Sequence, residues 1–287
     1  MALTINTNMA SMLVQRNMNA STNALNQAIQ RMTTGYRINS AKDDAAGMAV
    51  AIKLDTQLGA YDVASQNVQM GSALLTTLEE NENLVLGHMQ RIRDLAEQAA
   101  NGVYDATSTN AITAEIDARV AEINRLSGSV EFNGIKLLDG HIGTSDTLNI
   151  QVGIDGSGNS AINIAGAMGS IDATQLLTST YSTSGAIVAS LAGTTSERSD
   201  VFTKIDAGIN ALKSKITAIG SYQNRLDSAA ESIEVARSNL SSALSTVKDA
   251  DVSTESSNYI KAQILQQAAA SLLTTANQSP SIALNLI

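Results

Sequence analysis

The stretch from Ile205 to Val247, IDAGINALKSKITAIGSYQNRLDSAAESIEVARSNLSSALSTV, places Ile205, Leu212, Ile219, Leu226, Ile233, Leu240 and Val247 at a strict spacing of seven. One apolar residue per heptad, always on the same side, predicts a helix that lies along another helix. At 1.5 Å per residue the stretch would run roughly 65 Å, longer than a typical helix of a compact domain. A second series, Ile209, Ile216, Gln223, Ala230, Arg237 and Leu244, fills the alternate positions less evenly. The seam thus has one strong row and one interrupted row.

The N-terminal half carries a matching ladder. Leu54, Tyr61, Val68, Leu75, Met89 and Ala96 form one row, broken at Glu82; Ala64, Gly71, Leu78, Val85, Ile92 and Ala99 form the other. Asn101-Gly102 is expected to end this helix, with Gly102 as a left-handed cap. A further amphipathic pattern, Ile112, Ile116, Val120, Ile123 and Leu126, is expected to stop at Ser127-Gly128. The terminal segments also read as helices, through Leu25, Ile29, Met32 and Tyr36 at one end and Ile260, Ile264, Ala268 and Leu272 at the other. The single proline, Pro280, lies close to the C-terminus, which suits long uninterrupted helices. Strong helical patterns at both ends and weak ones between predict termini that return to pair, with an insert projecting between them. An ordinary helical bundle with an internal seam fits the same heptads.

Composition narrows the function. Aromatic residues make up 3% of the chain, with no Trp and two Phe, so a core must rely on Ala, Leu, Ile and Val. The net charge is −9, and no Lys/Arg cluster offers the basic face that nucleic acid requires. The absence of cysteine excludes disulfides, thiolate catalysis and Cys-based zinc sites. No apolar run reaches membrane-spanning length. The opening Met1-Ala2-Leu3-Thr4-Ile5 lacks a basic region followed by an apolar core, so no cleavable secretory signal is expected.

In the middle, Leu148, Ile150, Val152 and Ile154 alternate with polar residues and Gly153. A turn over Asp155–Asn159 follows, and Ile162 and Ile164 alternate again, so the unit predicts a β-hairpin. Ile135–Leu138, between Asn133-Gly134 and Asp139-Gly140, reads as a short extended piece. Residues 178–196 are rich in Ser, Thr and Gly and read as an exposed loop. Within them Ser179, Thr180, Ser182 and Thr183 are candidate O-glycosylation acceptors. Thr194-x-x-Glu197 is a capping-box pattern that would start the long C-terminal helix.

The signs of an enzyme are absent. His88 and His141 lie in unrelated contexts, and there is no His-Glu-x-x-His pair, phosphate-binding glycine loop or nucleophile elbow. No cofactor or metal is expected. Asp43 and Asp44 are adjacent and would diverge on a helix, so they read as complements to a helix N-terminus after an Asn39-Ser40 cap.

Ordered motifs spread over both ends carry a family resemblance. Arg37-Ile38-Asn39-Ser40-Ala41-Lys42-Asp43-Asp44-Ala45-Ala46-Gly47 resembles the signature of bacterial flagellin. So do Gln90–Ala96, Glu131–Leu138, Lys261–Ala268 and Ala276-Asn277-Gln278. The resemblance covers roughly residues 1–140 and 200–287 and implies a mainly α fold. Long paired terminal helices would form coiled-coil-like bundles, with a small β-hairpin region in the middle. Residues 1–44 and 249–287 would form the coiled-coil filament core, called D0. Residues 45–248 would form the helical layer D1, with the β region at about 133–170. The space between Ile164 and Glu197 is too short for an outer D2 or D3 domain.

The same resemblance implies a structural subunit that polymerises with copies of itself into the flagellar filament for motility. Its location would be extracellular, reached by export without signal cleavage. A flagellar export chaperone, a filament cap and hook-associated proteins would be its partners. The residues of the seam, Leu54, Leu75, Leu78, Ile205, Leu212, Ile219, Leu226, Ile233 and Leu240, would carry subunit packing. Arg91, Leu95 and Glu115 match positions contacted by the flagellin-sensing Toll-like receptor, with Glu97 standing where many recognised relatives are apolar. Gln30 to Ala51 resembles the peptide detected by plant receptor kinases, departing at Tyr36, Met48 and Ala49. The alternative within the same fold is a hook–filament junction protein. A secretion-system translocator would need a membrane-inserting segment, which is absent.

Overall fold

The computed structural model describes residues 8–140, 147–177 and 184–284. Seven helices alternate with two small sheets among them. In chain order they are α1 (Met9–Thr34), α2 (Ala45–Ala99), α3 (Ala106–Ser129), β1 (Glu131–Phe132), β2 (Ile135–Lys136), β3 (Asn149–Gln151), β4 (Ala161–Asn163), α4 (Ala173–Leu177), α5 (Ser184–Ala192), α6 (Thr195–Lys248) and α7 (Val252–Leu284). The fold is mainly α, as the sequence predicts. The chain forms two compact units, Met1–Leu58 with Ser238–Ile287, and Gly59–Arg237.

In the first unit α1 and α7 pair antiparallel. Asn8 caps α1 by accepting from the Ser11 amide at 3.0 Å, and its side-chain amide donates to the Ala276 carbonyl at 2.8 Å. Gln266 Nε2 donates to Thr22 Oγ1 at 3.0 Å, and Arg31 Nη1 meets Glu255 Oε1 at 3.0 Å. Small side chains close the contact: Ala28, Ala262 and Ala269 are buried. α1 ends at Gly35, whose φ of 74° lets its amide return to the Arg31 carbonyl at 2.9 Å. The two connectors then pair as an antiparallel bridge between Tyr36 and Asp249. Arg37 N donates to Lys248 O at 2.7 Å and Ala250 N to Gly35 O at 2.8 Å. Lys248 Nζ lies 4.3 Å from the centre of the Tyr36 ring.

The second unit is organised by the heptad rows. Ile205, Leu212, Ile219 and Leu226 have 0% exposure and Ile233 has 3%. The N-terminal rows are buried with them through Ala64, Val68, Leu75, Leu78, Val85, Met89 and Ile92. α2 and α6 run antiparallel, with Gln223 Nε2 donating to Glu79 Oε2 at 2.9 Å and Arg93 Nε to Asp206 Oδ1 at 3.1 Å. Ile112, Ile116, Val120, Ile123 and Leu126 of α3 join the same core.

The β region is two antiparallel hairpins. β1 and β2 pair Phe132 with Ile135 across Asn133-Gly134, whose φ values of 51° and 78° are those of a type I′ turn. β3 and β4 pair Ile150 with Ile162, as the alternation predicts. Gly71, a member of a heptad row, is where this second hairpin docks: a Cβ there would overlap Ile150 Cδ1.

Several expectations are corrected. The reading of 178–196 as loop fails over Ser184–Ala192, which is helical, with Ile187 and Leu191 buried at 0% and 1% exposure. Their spacing of four places them on one face, a pair too sparse to stand out in a Ser- and Gly-rich composition. Asn39-Ser40 is not the cap of α2. Asp44 is, accepting from the Gly47 amide at 2.9 Å, while Asp43 Oδ2 accepts from the Ser40 amide at 3.0 Å and the Asn39 amide at 3.2 Å. Those bonds hold the Asp43 carboxyl below its usual range, the Ser40 amide contributing most. Gly102 is not among the left-handed glycines; α2 ends at Ala99 and closes with the Ala100 amide on the Ala96 carbonyl at 3.0 Å. α3 continues past Ser127-Gly128 to Ser129, and Val130 closes it in an extended conformation.

Candidate assembly and recognition surfaces

α2 and α3 run side by side, and their outer faces carry the first candidate surface. Arg91 and Glu115 form a two-point pair, Nε to Oε1 at 2.8 Å and Nη2 to Oε2 at 3.1 Å. The bond to Arg91 is the main cause holding the Glu115 carboxyl below its usual value, and Glu115 in turn raises Arg91. Arg119 adds a longer contact to Glu115 at 3.6 Å and lies 3.4 Å from His88 Nδ1. Burial first, and then Arg119, push the His88 imidazole below its ordinary value. Leu95, expected to share an exposed face with Arg91, is 1% exposed and belongs to the core. The surface therefore offers Arg91 and Glu115, with Leu95 beneath. Nearby, the Arg93 guanidinium lies 4.4 Å from the centre of the Phe202 ring, reaching Asp206 on one side and Glu97 at 2.8 Å on the other.

The second candidate surface is on the first unit. The row read from the sequence of α7 does not face α1. Ile260, Ile264 and Leu272 are 53%, 59% and 58% exposed, while Tyr259, Ala262, Gln266 and Ala269 take the inner positions. On α1, Met9, Met12, Leu13 and Ile29 are likewise exposed. The stripe on α7, with the cluster of Met9, Met12 and Leu13 at the start of α1, is more than the scattered exposed apolar residue normal for soluble proteins. Glu255 is buried and Arg31 half-buried in the contact between the helices, and neither stands out in the sequence, because a salt bridge across chain ends leaves no local spacing.

Of the seam residues, Leu75, Leu78, Ile205, Leu212, Ile219, Leu226 and Ile233 are buried in the second unit, and Leu54 and Leu240 are half-buried in the first. Ser179, Thr180, Ser182, Thr183 and His141 lie outside the described residues. Among the described residues no group of His, Cys, Asp or Glu could hold a metal ion, and no helix is long and apolar enough to cross a membrane.

These features define a helical protein whose ends pair and whose terminal pair keeps uncovered apolar stripes. Comparison with known proteins gives the family. The bacterial flagellin N-terminal helical region matches residues 5–142, and the bacterial flagellin C-terminal helical region matches residues 202–287. A flagellin of Bacillus subtilis is 33% identical over 307 residues, covering 99% of each chain. The B-type flagellin of Pseudomonas aeruginosa is 48% identical over 153 residues, covering 53% of this chain and 31% of that one. A solved Vibrio parahaemolyticus structure assigned as a flagellar hook-associated protein matches with a TM-score of 0.59 and 15% identity, covering 72% of this chain and 100% of that one. The chain belongs to the bacterial flagellin family, as a short form without a large variable domain between the two matched regions.

Proposed function

We propose that the protein is a structural subunit that polymerises into a bacterial flagellar filament outside the cell, and that it is not an enzyme. The observation that carries this reading is the uncovered stripe of Ile260, Ile264 and Leu272 on a terminal helix whose inner face is already occupied. In a family of filament proteins, such a stripe is satisfied by neighbouring copies, and repeated contacts that do not close build a helical fibre. The proposed layers follow: residues 1–44 and 249–287 as the filament core, and 45–248 as the layer around it. An export chaperone would cover the apolar terminal helices before assembly, and a cap and hook-associated proteins would bound the filament. The junction-protein alternative rests on a likeness of fold alone.

Electron microscopy of the purified chain after salt-induced assembly tests the main reading. Long helical filaments are expected; a chain that stays monomeric across salt conditions refutes it. For the receptor surface, we propose that the paired Arg91 and Glu115 contact the flagellin-sensing Toll-like receptor. Arg91→Ala is expected to lower receptor signalling by the monomer while leaving its thermal midpoint unchanged, since an exposed pair adds little to stability. Full signalling by the variant would exclude Arg91 as a contact.

A further inference from the structure

Glu82 occupies a position of the heptad row between Leu75 and Met89, and it is 0% exposed. Neither carboxyl oxygen has a hydrogen-bond partner. An ionised carboxylate in that setting is costly, whereas a neutral carboxyl is tolerated. The pairs Glu79–Gln223 and Arg93–Asp206 set the antiparallel register that brings Lys215 of α6, itself half-buried, to the level of Glu82, where its charge acts on the carboxyl. Its ammonium donates to the Gly169 carbonyl at 3.0 Å and the Ser170 carbonyl at 3.2 Å. These bonds fasten the turn before α4 to α6. The turn in turn places the Ile171 amide on the Leu138 carbonyl at 3.3 Å, with Ile171 fully buried.

We propose that Glu82 and Lys215 form a proton-operated latch inside the second unit: with Glu82 neutral, Lys215 holds the Gly169–Ser170 turn, and when Glu82 loses its proton to solvent the ammonium is drawn to the carboxylate and the turn is released.

The other charges nearby are otherwise engaged. On α2, Glu79 accepts from Gln223. On α3, Arg125 is paired with Glu122 at 2.6 Å, and Arg119 reaches Glu115 and His88. Before α4, Asp172 accepts from the Gln175 amide at 2.8 Å. Lys215 is the charge whose field acts on Glu82, and it favours the ionised form without offsetting burial. Burial raises the Glu82 carboxyl from 4.5 to about 7. Burial likewise lowers Lys215, and Glu82 opposes that shift.

The sign follows from proton binding. The folded carboxyl keeps its proton up to about 7, and the unfolded one up to 4.5. The stability it contributes is fully present below the lower value and is lost as pH rises through the upper one. Carboxylates such as Glu115 and Asp43 are shifted downward and act only at lower pH. His88 is held below 6.5 and titrates in the opposite sense, so the comparison must be between wild type and variants.

The test is hydrogen exchange of the full-length chain, followed on peptides covering residues 164–173 and corrected for intrinsic rate, at about pH 5 and about pH 8. In wild type, protection of this segment should fall about tenfold or more between the two, the response of a single titration through a full pKa unit or beyond. Glu82→Gln, which carries no charge at either pH, should keep the segment protected at both. Glu82→Leu, which restores the apolar row, should do the same if the amide is poorly accommodated. Lys215→Met should leave the segment weakly protected at both. An equal pH-dependent loss in the Glu82 variants, or in Lys215→Met, overturns the latch.

Discussion

Leu226 lies in the middle of the buried row of α6, with no exposed surface. Truncation there removes contacts that the surrounding helices cannot fully recover by collapse. Leu226→Ala is expected to cost about 2–5 kcal/mol. Leu226→Asp should cost more, because it adds a buried charge without a partner. Thermal unfolding of the full chain checks both, and an Asp variant as stable as wild type would mean that the row faces water. Residues of this kind were legible before any coordinates. A period of seven held over five positions leaves one arrangement of faces, and all five positions from Ile205 to Ile233 are inside. Glu82 shows the limit: pattern marks it only as a gap, and whether the gap is an outward kink or a buried acid depends on what stands opposite. Leu95 shows the same limit, since its spacing from Arg91 is right for a shared face, yet the face turns inward between them.

At the scale of elements, boundaries with a reciprocal chemical signal were readable. The Thr194–Glu197 pattern forms as expected: Thr194 N and Oγ1 donate to Glu197 Oε2 at 2.6 and 2.9 Å, and Glu197 N donates to Thr194 Oγ1 at 3.4 Å. These bonds hold the Glu197 carboxyl below 4.5, the Thr194 amide contributing most. Its share of stability is therefore present above the unfolded value and is lost as pH falls through the lowered folded one. Thr194→Ala should cost about 1 kcal/mol and speed amide exchange in the first turn of α6. Unchanged exchange there would show that α5, not the cap, fixes where α6 begins. The cap of α2 is ambiguous in the sequence because Asn39, Ser40, Asp43 and Asp44 are all competent caps. Asp43 is engaged by the Asn39 and Ser40 amides, and Asp44 takes the first-turn amide of Gly47. α5 is hidden for a different reason: its helix rests on the burial of Ile187 and Leu191, a tertiary fact that short windows do not carry.

On the scale of the whole molecule, the sequence shows that the terminal segments are amphipathic but not which side each presents. The fully buried positions of the α1–α7 pair are alanines and Glu255, which a half-buried Arg31 meets, so the helices approach closely while Met9, Met12, Leu13, Ile260, Ile264 and Leu272 remain outside. A monomer gains little from Ile260, Ile264 or Leu272 as they stand; a polymer that covers them gains roughly 25 cal/mol for each Å² removed from water. The second unit needs none of this, because its rows are buried by its own helices. Deleting residues 1–40 or 251–287 should therefore abolish filaments while leaving a soluble, cooperatively melting helical protein. Circular dichroism checks the folding and electron microscopy the assembly. Normal filaments from either truncation would show that the stripes are not the assembly surface. Loss of the cooperative transition would show instead that the second unit depends on the terminal pair for its own fold.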